Sequence, residues 1–165
     1  MAGRTVSRYV NFVVDDSGGT IREIPINSLS MVGVVYEEQD LTAFQDAVKG
    51  ALPGMPDAPI EISGPFDTTA VATVSGTGVA PLLSGSHTVL KGINGVMKPL
   101  TLDVQFGIQR TWTTNDPQFG ITCDTVDVGY VCTAYTVNAN DMTYNAKFVL
   151  FPGSTLPAWG TAAEA

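Results

Sequence analysis

The alternation in "LTLDVQF", residues 100 to 106, limits the fold more than any other stretch of the chain. Successive side chains of an extended backbone point to opposite faces, so Leu100, Leu102, Val104 and Phe106 share one side while Thr101, Asp103 and Gln105 share the other. The pattern is that of a half-buried strand, and it needs further strands to pair with and a second layer to cover its apolar face.

Similar signals run along the chain. "TVSRYVNFVV" at 5 to 14 is β-branched and aromatic, and "DDSGG" at 15 to 19 provides turn chemistry before "TIREIPI", which together read as an opening hairpin. "NSLSMVGVVYEE" continues in extended or irregular form and ends on Glu37, Glu38 and Asp40, an acidic run without a histidine or further carboxylate at ligand spacing and therefore a solvated face. Strand patterns recur in "IEIS", "TTAVATVSG" and "HTVLKGI", and "NDPQFG" reads as a turn. "TVDVGYVCTAYTV" and "MTYNAKFVLF" flank Asn138-Ala139-Asn140-Asp141 and predict a long two-stranded hairpin with a tight tip.

One segment has helical character. In "LTAFQDAVKGAL", Thr42 and Gln45 have the spacing of a capping box, Ala43, Ala47, Val48 and Ala51 form a modest apolar stripe, and Gly50 with Pro53-Gly54 supplies the stop. The expectation is a mainly β fold: an antiparallel β-sandwich or barrel with one short flanking α-helix near 42–51, a single β domain over 1–151, and a C-terminal arm over 152–165 anchored by Trp159.

No pattern that carries catalysis emerges. Gly76-x-Gly78 in "SGTGVAPL" begins a dinucleotide fingerprint, but Pro81 stands where the third glycine belongs and no helix pattern follows, so the stretch reads as a turn. His87 is the only histidine, which rules out a two-histidine metal site and points to a structural role. Asp15/Asp16 and Asp124/Asp127 read as turn residues rather than opposed catalytic acids. Cys123 and Cys132 lack CxxC spacing and read as reduced structural thiols. No catalytic, cofactor-binding or metal-binding residue is assigned, and the chain is not expected to be an enzyme.

Eight basic against sixteen acidic residues give a formal net charge of −8, and no Lys/Arg run exists, so a nucleic-acid grip is disfavoured. No stretch has the apolar length of a membrane span, and the first residues lack an apolar leader pattern, so a soluble intracellular product is expected. A β domain without catalytic machinery but with long connections is suited to assembly. Two segments stand out: 50–59, with Gly50, Pro53, Gly54, Met55 and Pro56, and the hairpin 125–151, with Asn138, Asn140 and Asp141 at its tip.

The order of several short motifs resembles that of tail tube proteins of long-tailed bacteriophages. They are Asp40 with Thr42, then Pro53-Gly54, then Ile60, Ile62, Gly64, Phe66 and Asp67, and finally Thr101 to Gly107. The resemblance implies a virion tail subunit, made in the host cytoplasm, that forms hexameric rings stacked into a tube through which viral DNA passes without sequence-specific binding. Its partners would be further copies of itself and other tail or capsid proteins. Two alternatives stay open: a capsid decoration protein of similar β fold, and a small carbohydrate-binding β module using Trp112 and Trp159.

Overall fold

The computed structural model describes residues 10–16, 18–70, 81–107, 116–123 and 127–161. The strands are β1 (Val10–Asp15), β2 (Ile21–Ile24), β3 (Ser28–Leu29), β4 (Val35–Asp40), β5 (Ala51–Asp57), β6 (Ile60–Pro65), β7 (Leu82–Leu83), β8 (Leu102–Phe106), β9 (Pro117–Ile121), β10 (Tyr130–Asn138), β11 (Thr143–Leu150) and β12 (Ala158–Thr161), with helix α1 (Ser86–Ile93) between β7 and β8. They form a six-stranded sheet in the order β12-β9-β8-β1-β2-β7, a four-stranded sheet in the order β10-β11-β6-β3, and a separate two-stranded sheet, β4-β5. Pairing is antiparallel except for the short β2–β7 contact. The fold is mainly β with one short helix, as the strand patterns predict.

The opening hairpin forms because Asp16 organises its turn. One carboxylate oxygen accepts the amides of Gly18 at 2.8 Å and Thr20 at 3.0 Å, and the other pairs with Arg22 at 3.1 Å. Register then places Phe12 opposite both Ile24 and Val104, aligning the apolar faces of β2, β1 and β8. The larger sheet presents Phe12, Val14, Ile24, Leu102, Val104, Phe119 and Ile121 to the core, and the smaller presents Ile60, Ile62, Tyr130, Cys132, Tyr144, Ala146 and Phe148. Phe12 and Phe148 meet across the interface with ring centroids 5.5 Å apart. Two buried tyrosines also tie the sandwich at its margins, Tyr130 donating to the Ala58 carbonyl at 2.8 Å and Tyr144 to that of Pro25 at 2.7 Å.

The helix expected near 42–51 does not form; residues 41–50 are a loop and residues 51–57 are strand β5. Thr42 does not cap an amide three residues on. Its hydroxyl instead donates to the Gly50 carbonyl at 3.1 Å and accepts the Gly50 amide at 2.8 Å, closing the loop on itself. The helix lies in "SHTVLKGI", where the sequence reading predicts a strand. Ser86, Val89, Leu90 and Ile93 are its buried residues, the i, i+3, i+4, i+7 set of one helical face. Gly85 precedes it, and the chain leaves through Gly95 at a φ of 75°, a conformation that favours glycine.

Three further expectations change. "NDPQFG" is not a turn throughout, since Pro117–Ile121 form β9 with the proline at the first strand position, where its missing N–H is tolerated. The C-terminal segment supplies β12, which pairs with β9. The polar side of "LTLDVQF" is not solvated: Thr101 and Gln105 are buried, Gln105 accepts from the Asn11 amide at 3.3 Å, and Gln118 donates to Asp103 at 2.7 Å. Burial, partly opposed by that Gln118 bond, pushes the Asp103 carboxyl up to about 6. The turn expected at "SGTG", the strand "TTAVATVSG" beyond residue 70, Trp112 and Asp124 lie outside the described residues.

Candidate assembly surface

The β4–β5 hairpin differs from the rest of the chain because it has no buried face. Every residue of β4 and of the 41–50 loop is exposed, and β5 is exposed except at Gly54 and Pro56, which are half-buried. Its side chains are nevertheless partly apolar. Val35, Tyr36, Leu41, Val48, Leu52 and Met55 are exposed, and Phe44 is fully so. A two-stranded hairpin is marginal in water by itself, and clustered exposed apolar groups on a small domain mark a contact surface.

Local hydrogen bonding holds the arm in shape. Beyond the Thr42–Gly50 pair, the Leu41 amide donates to the Gly50 carbonyl at 3.0 Å. Asp40 accepts the Thr42 amide at 2.9 Å, and Asp46 accepts the Ala43 amide at 2.8 Å. These bonds to Thr42 hold the Asp40 carboxyl below the usual carboxylate range. The loop acids are thus turned back onto loop amides, while Leu41, Phe44 and Val48 remain at the surface. Lower in the arm the register shifts between Tyr36 and Glu38, so Gly54 and Met55 together face Glu37, a bulge. A side chain at Gly54 would approach the Glu37 carbonyl to 2.8 Å, which is why glycine suits that position.

The sequence-predicted interface residues divide between two places. Gly50, Pro53, Gly54, Met55 and Pro56 fall at the loop end and along β5, on the exposed arm. Asn138, Asn140 and Asp141 fall in the β10–β11 turn, on a different sheet, so the structure does not gather all eight into one strand pair. At that turn Asn138 accepts the Asn140 amide at 3.0 Å and donates to Asp141 at 3.2 Å, and Met142 takes a φ of 51°. These polar groups satisfy one another, and they close the turn. Sequence reasoning missed Leu41, Phe44 and Val48: Val48 falls in the expected helical stripe, and Leu41 and Phe44 carry no signal of their own.

A second surface feature lies between the ends of β1 and β8, the β12 strand and the β3 segment. A groove of about 550 Å³ has Val10, Ile26, Leu29, Val32, Phe106 and Trp159 as its apolar lining. Trp159 stacks against Phe106 and Phe119 at centroid distances of 5.6 and 5.0 Å and is still 57% exposed.

Residues considered for chemistry serve the framework. His87 sits in the first turn of α1, its ring 4.8 Å from that of Phe66, with Nδ1 3.0 Å from the Tyr135 hydroxyl. Cys123 and Cys132 are not joined by a disulfide, and burial pushes the Cys132 thiol up to about 11, far from a reactive thiolate. Among the described residues no group of three His, Cys, Asp or Glu side chains could hold a metal ion, and no helix is long and apolar enough to cross a membrane.

The sequence matches no protein-family model, and no curated protein matches it either. Solved structures do match in fold. A chain of the anti-feeding prophage baseplate, solved with 6-fold symmetry imposed, aligns with a TM-score of 0.59 at 6% identity, covering 98% of this chain and 99% of that one. A chain of the anti-feeding prophage tube-terminating cap aligns with a TM-score of 0.56 at 11% identity, covering 98% and 94%. A chain of the sheath/tube terminator of the PVC extracellular contractile injection system, in its extended state, aligns at 0.52 and 11%, covering 98% and 100%. The protein therefore has a phage-tail-like fold over nearly its whole length.

Proposed function

We propose that this chain is a structural subunit of a phage-tail-like particle and that it assembles with copies of itself into stacked rings forming a tail tube. The observation that carries the proposal is the β4–β5 arm: a hydrogen-bonded hairpin without a buried residue, carrying large apolar side chains that stay about half to fully exposed. Burying such groups contributes roughly 25 cal/mol per Å² of apolar surface, so a neighbour that covered them would stabilise the arm and the assembly together. The full-length likeness to chains of tail-like particles supports the tail setting, and the 6-fold symmetry of the baseplate neighbour supports a hexameric ring.

The formal net charge of −8 suits a channel through which viral DNA passes without adhering, since a polyanion is held by clustered Lys and Arg. On this reading the chain works by assembly and performs no catalysis. A closely related reading is favoured by the likeness to the cap and terminator chains: a subunit forming the ring that ends a tube. Negative-stain electron microscopy of the purified protein at rising concentration, with sedimentation alongside, separates the two. Open-ended tubes or stacked rings support the tube subunit, and single rings that do not stack support the terminal ring. A uniform small species at every concentration contradicts both and favours capsid decoration.

A further inference from the structure

The apolar groove lies at the base of the arm rather than at its tip. Leu29, Ser30 and Val32 line it, and the chain runs from Val32 directly into β4 at Val35. The tip loop is separated from that base by the six residues of β4, roughly 20 Å of extended strand at ~3.3 Å per residue. A hydrogen-bonded hairpin cannot fold back over that length, so the loop does not fill the groove of its own subunit.

The two surfaces match in chemistry. None of the described residues that line the groove is ionisable; its remaining lining is one asparagine and two serines. The loop likewise offers Leu41, Phe44 and Val48 outward and satisfies Asp40 and Asp46 internally. Two copies that each carry a formal charge of −8 repel, so contact between them is best made where like charge is sparse; the described groove lining carries none, and within the loop Asp46 is offset by Lys49. The groove volume is also within the roughly 300–1,000 Å³ of pockets that hold small ligands, and here it suits a few apolar side chains. An exposed tryptophan at its wall is the residue type most often found to anchor an interface. Among the described residues β3 and β12 are each the last strand of a sheet, a position at which an added segment can pair.

We infer that the 41–50 loop of one copy inserts its Phe44 side chain into the groove walled by Trp159, Val10 and Leu29 at the base of the arm of the next copy. Tip-to-base contact is heterologous: each subunit has one of each surface, so the contact propagates from copy to copy. This inference rests on the assembly reading above and names the receiving site.

The test uses two full-length variants, Phe44→Asp in the tip and Val10→Lys in the groove, with Val32→Lys as a second groove change. Val10 and Val32 are half-buried, and a lysine there lays its stem along the groove wall and carries its charge to the mouth, so the fold survives. Circular dichroism checks that it does. Sedimentation at a concentration where the wild-type chain assembles is expected to show each variant alone as a monomer. An equimolar mixture of Phe44→Asp with Val10→Lys retains one intact tip and one intact groove, and is expected to give a two-chain complex and nothing larger. If the groove variants assemble as wild type while Phe44→Asp does not, the groove assignment is overturned and the arm reading stands. If the mixture stays monomeric, the tip-to-groove pairing is overturned. If Phe44→Asp assembles normally, or the wild-type chain never assembles, the arm reading fails with it.

Discussion

The chain contains two long hairpins whose surroundings are opposite. β10–β11 runs from Tyr130 to Leu150 with a bulge between Cys132 and Ala134, and its inward residues Tyr130, Cys132, Tyr144, Ala146 and Phe148 are all buried. β4–β5 has a bulge too and a longer connecting loop, yet none of its residues is buried. Backbone hydrogen bonding alone gives both the same local shape. What separates them is where the apolar side chains go: into a core for β10–β11, and into solvent for β4–β5. The first hairpin is therefore part of what holds the subunit together, while the second leaves its apolar side chains at the surface, the feature on which the proposed assembly rests.

Substitutions can break this contrast. Phe148→Ala removes a fully buried ring that packs on Phe12 and should cost about 3–5 kcal/mol of subunit stability. Phe44→Ala should change stability of the unassembled subunit by less than about 0.5 kcal/mol, because its ring is already in water. Urea denaturation of the two variants measures the difference, and comparable losses would mean that the arm packs on the body.

Between about pH 4 and 7, above the range in which the lowered Asp40 carboxyl of the arm takes up its proton, acidity should act on the body. The Asp103 carboxyl, raised to about 6 by burial, binds its proton more tightly in the folded than in the unfolded chain. Its contribution to stability is thus favourable below about pH 4 and fades as pH rises through about 6. Asp103→Asn keeps a carbonyl to accept the Gln118 bond and removes the buried charge. The variant should match wild type near pH 4 and exceed it at pH 7 by roughly 1–3 kcal/mol. Thermal melts across that range read the effect. Amide exchange within residues 41–50 should be the same in both proteins, and a change there would couple arm and body.

A further effect is confined to the arm. Thr42→Ala removes both hydrogen bonds between the Thr42 hydroxyl and the Gly50 backbone and should open the loop by about 1 kcal/mol. Faster exchange of the Gly50 amide, with an unchanged global melting temperature, is the expected signature.

Much of the sandwich was legible because its strands carry their own signals: turn residues at Asp16 to Gly19 and at Asn138 to Asp141, and a period of two in Leu102 to Phe106. The helix was not. Ser86 to Ile93 is only eight residues, and its β-branched Thr88, Val89 and Ile93 favour a strand locally; packing of Val89, Leu90 and Ile93 into the core decides otherwise. Conversely, residues 42–51 have helix formers and a cap-like threonine, but their stripe has little bulk to bury and the loop satisfies its own polar groups. For the surface, glycine and proline point to Gly50–Pro56, while Val48 falls in the expected helical stripe of Ala43, Ala47, Val48 and Ala51, and Leu41 and Phe44 carry no signal of their own. Only their exposure in three dimensions distinguishes a docking side chain from a buried one.

The most direct test of the central claim is hydrogen–deuterium exchange of the wild-type chain below and above the concentration at which it assembles. The account predicts that amides of residues 35–57 gain protection on assembly, far more than those of residues 130–150, which the subunit already protects. Assembly that leaves exchange over residues 35–57 unchanged would contradict it.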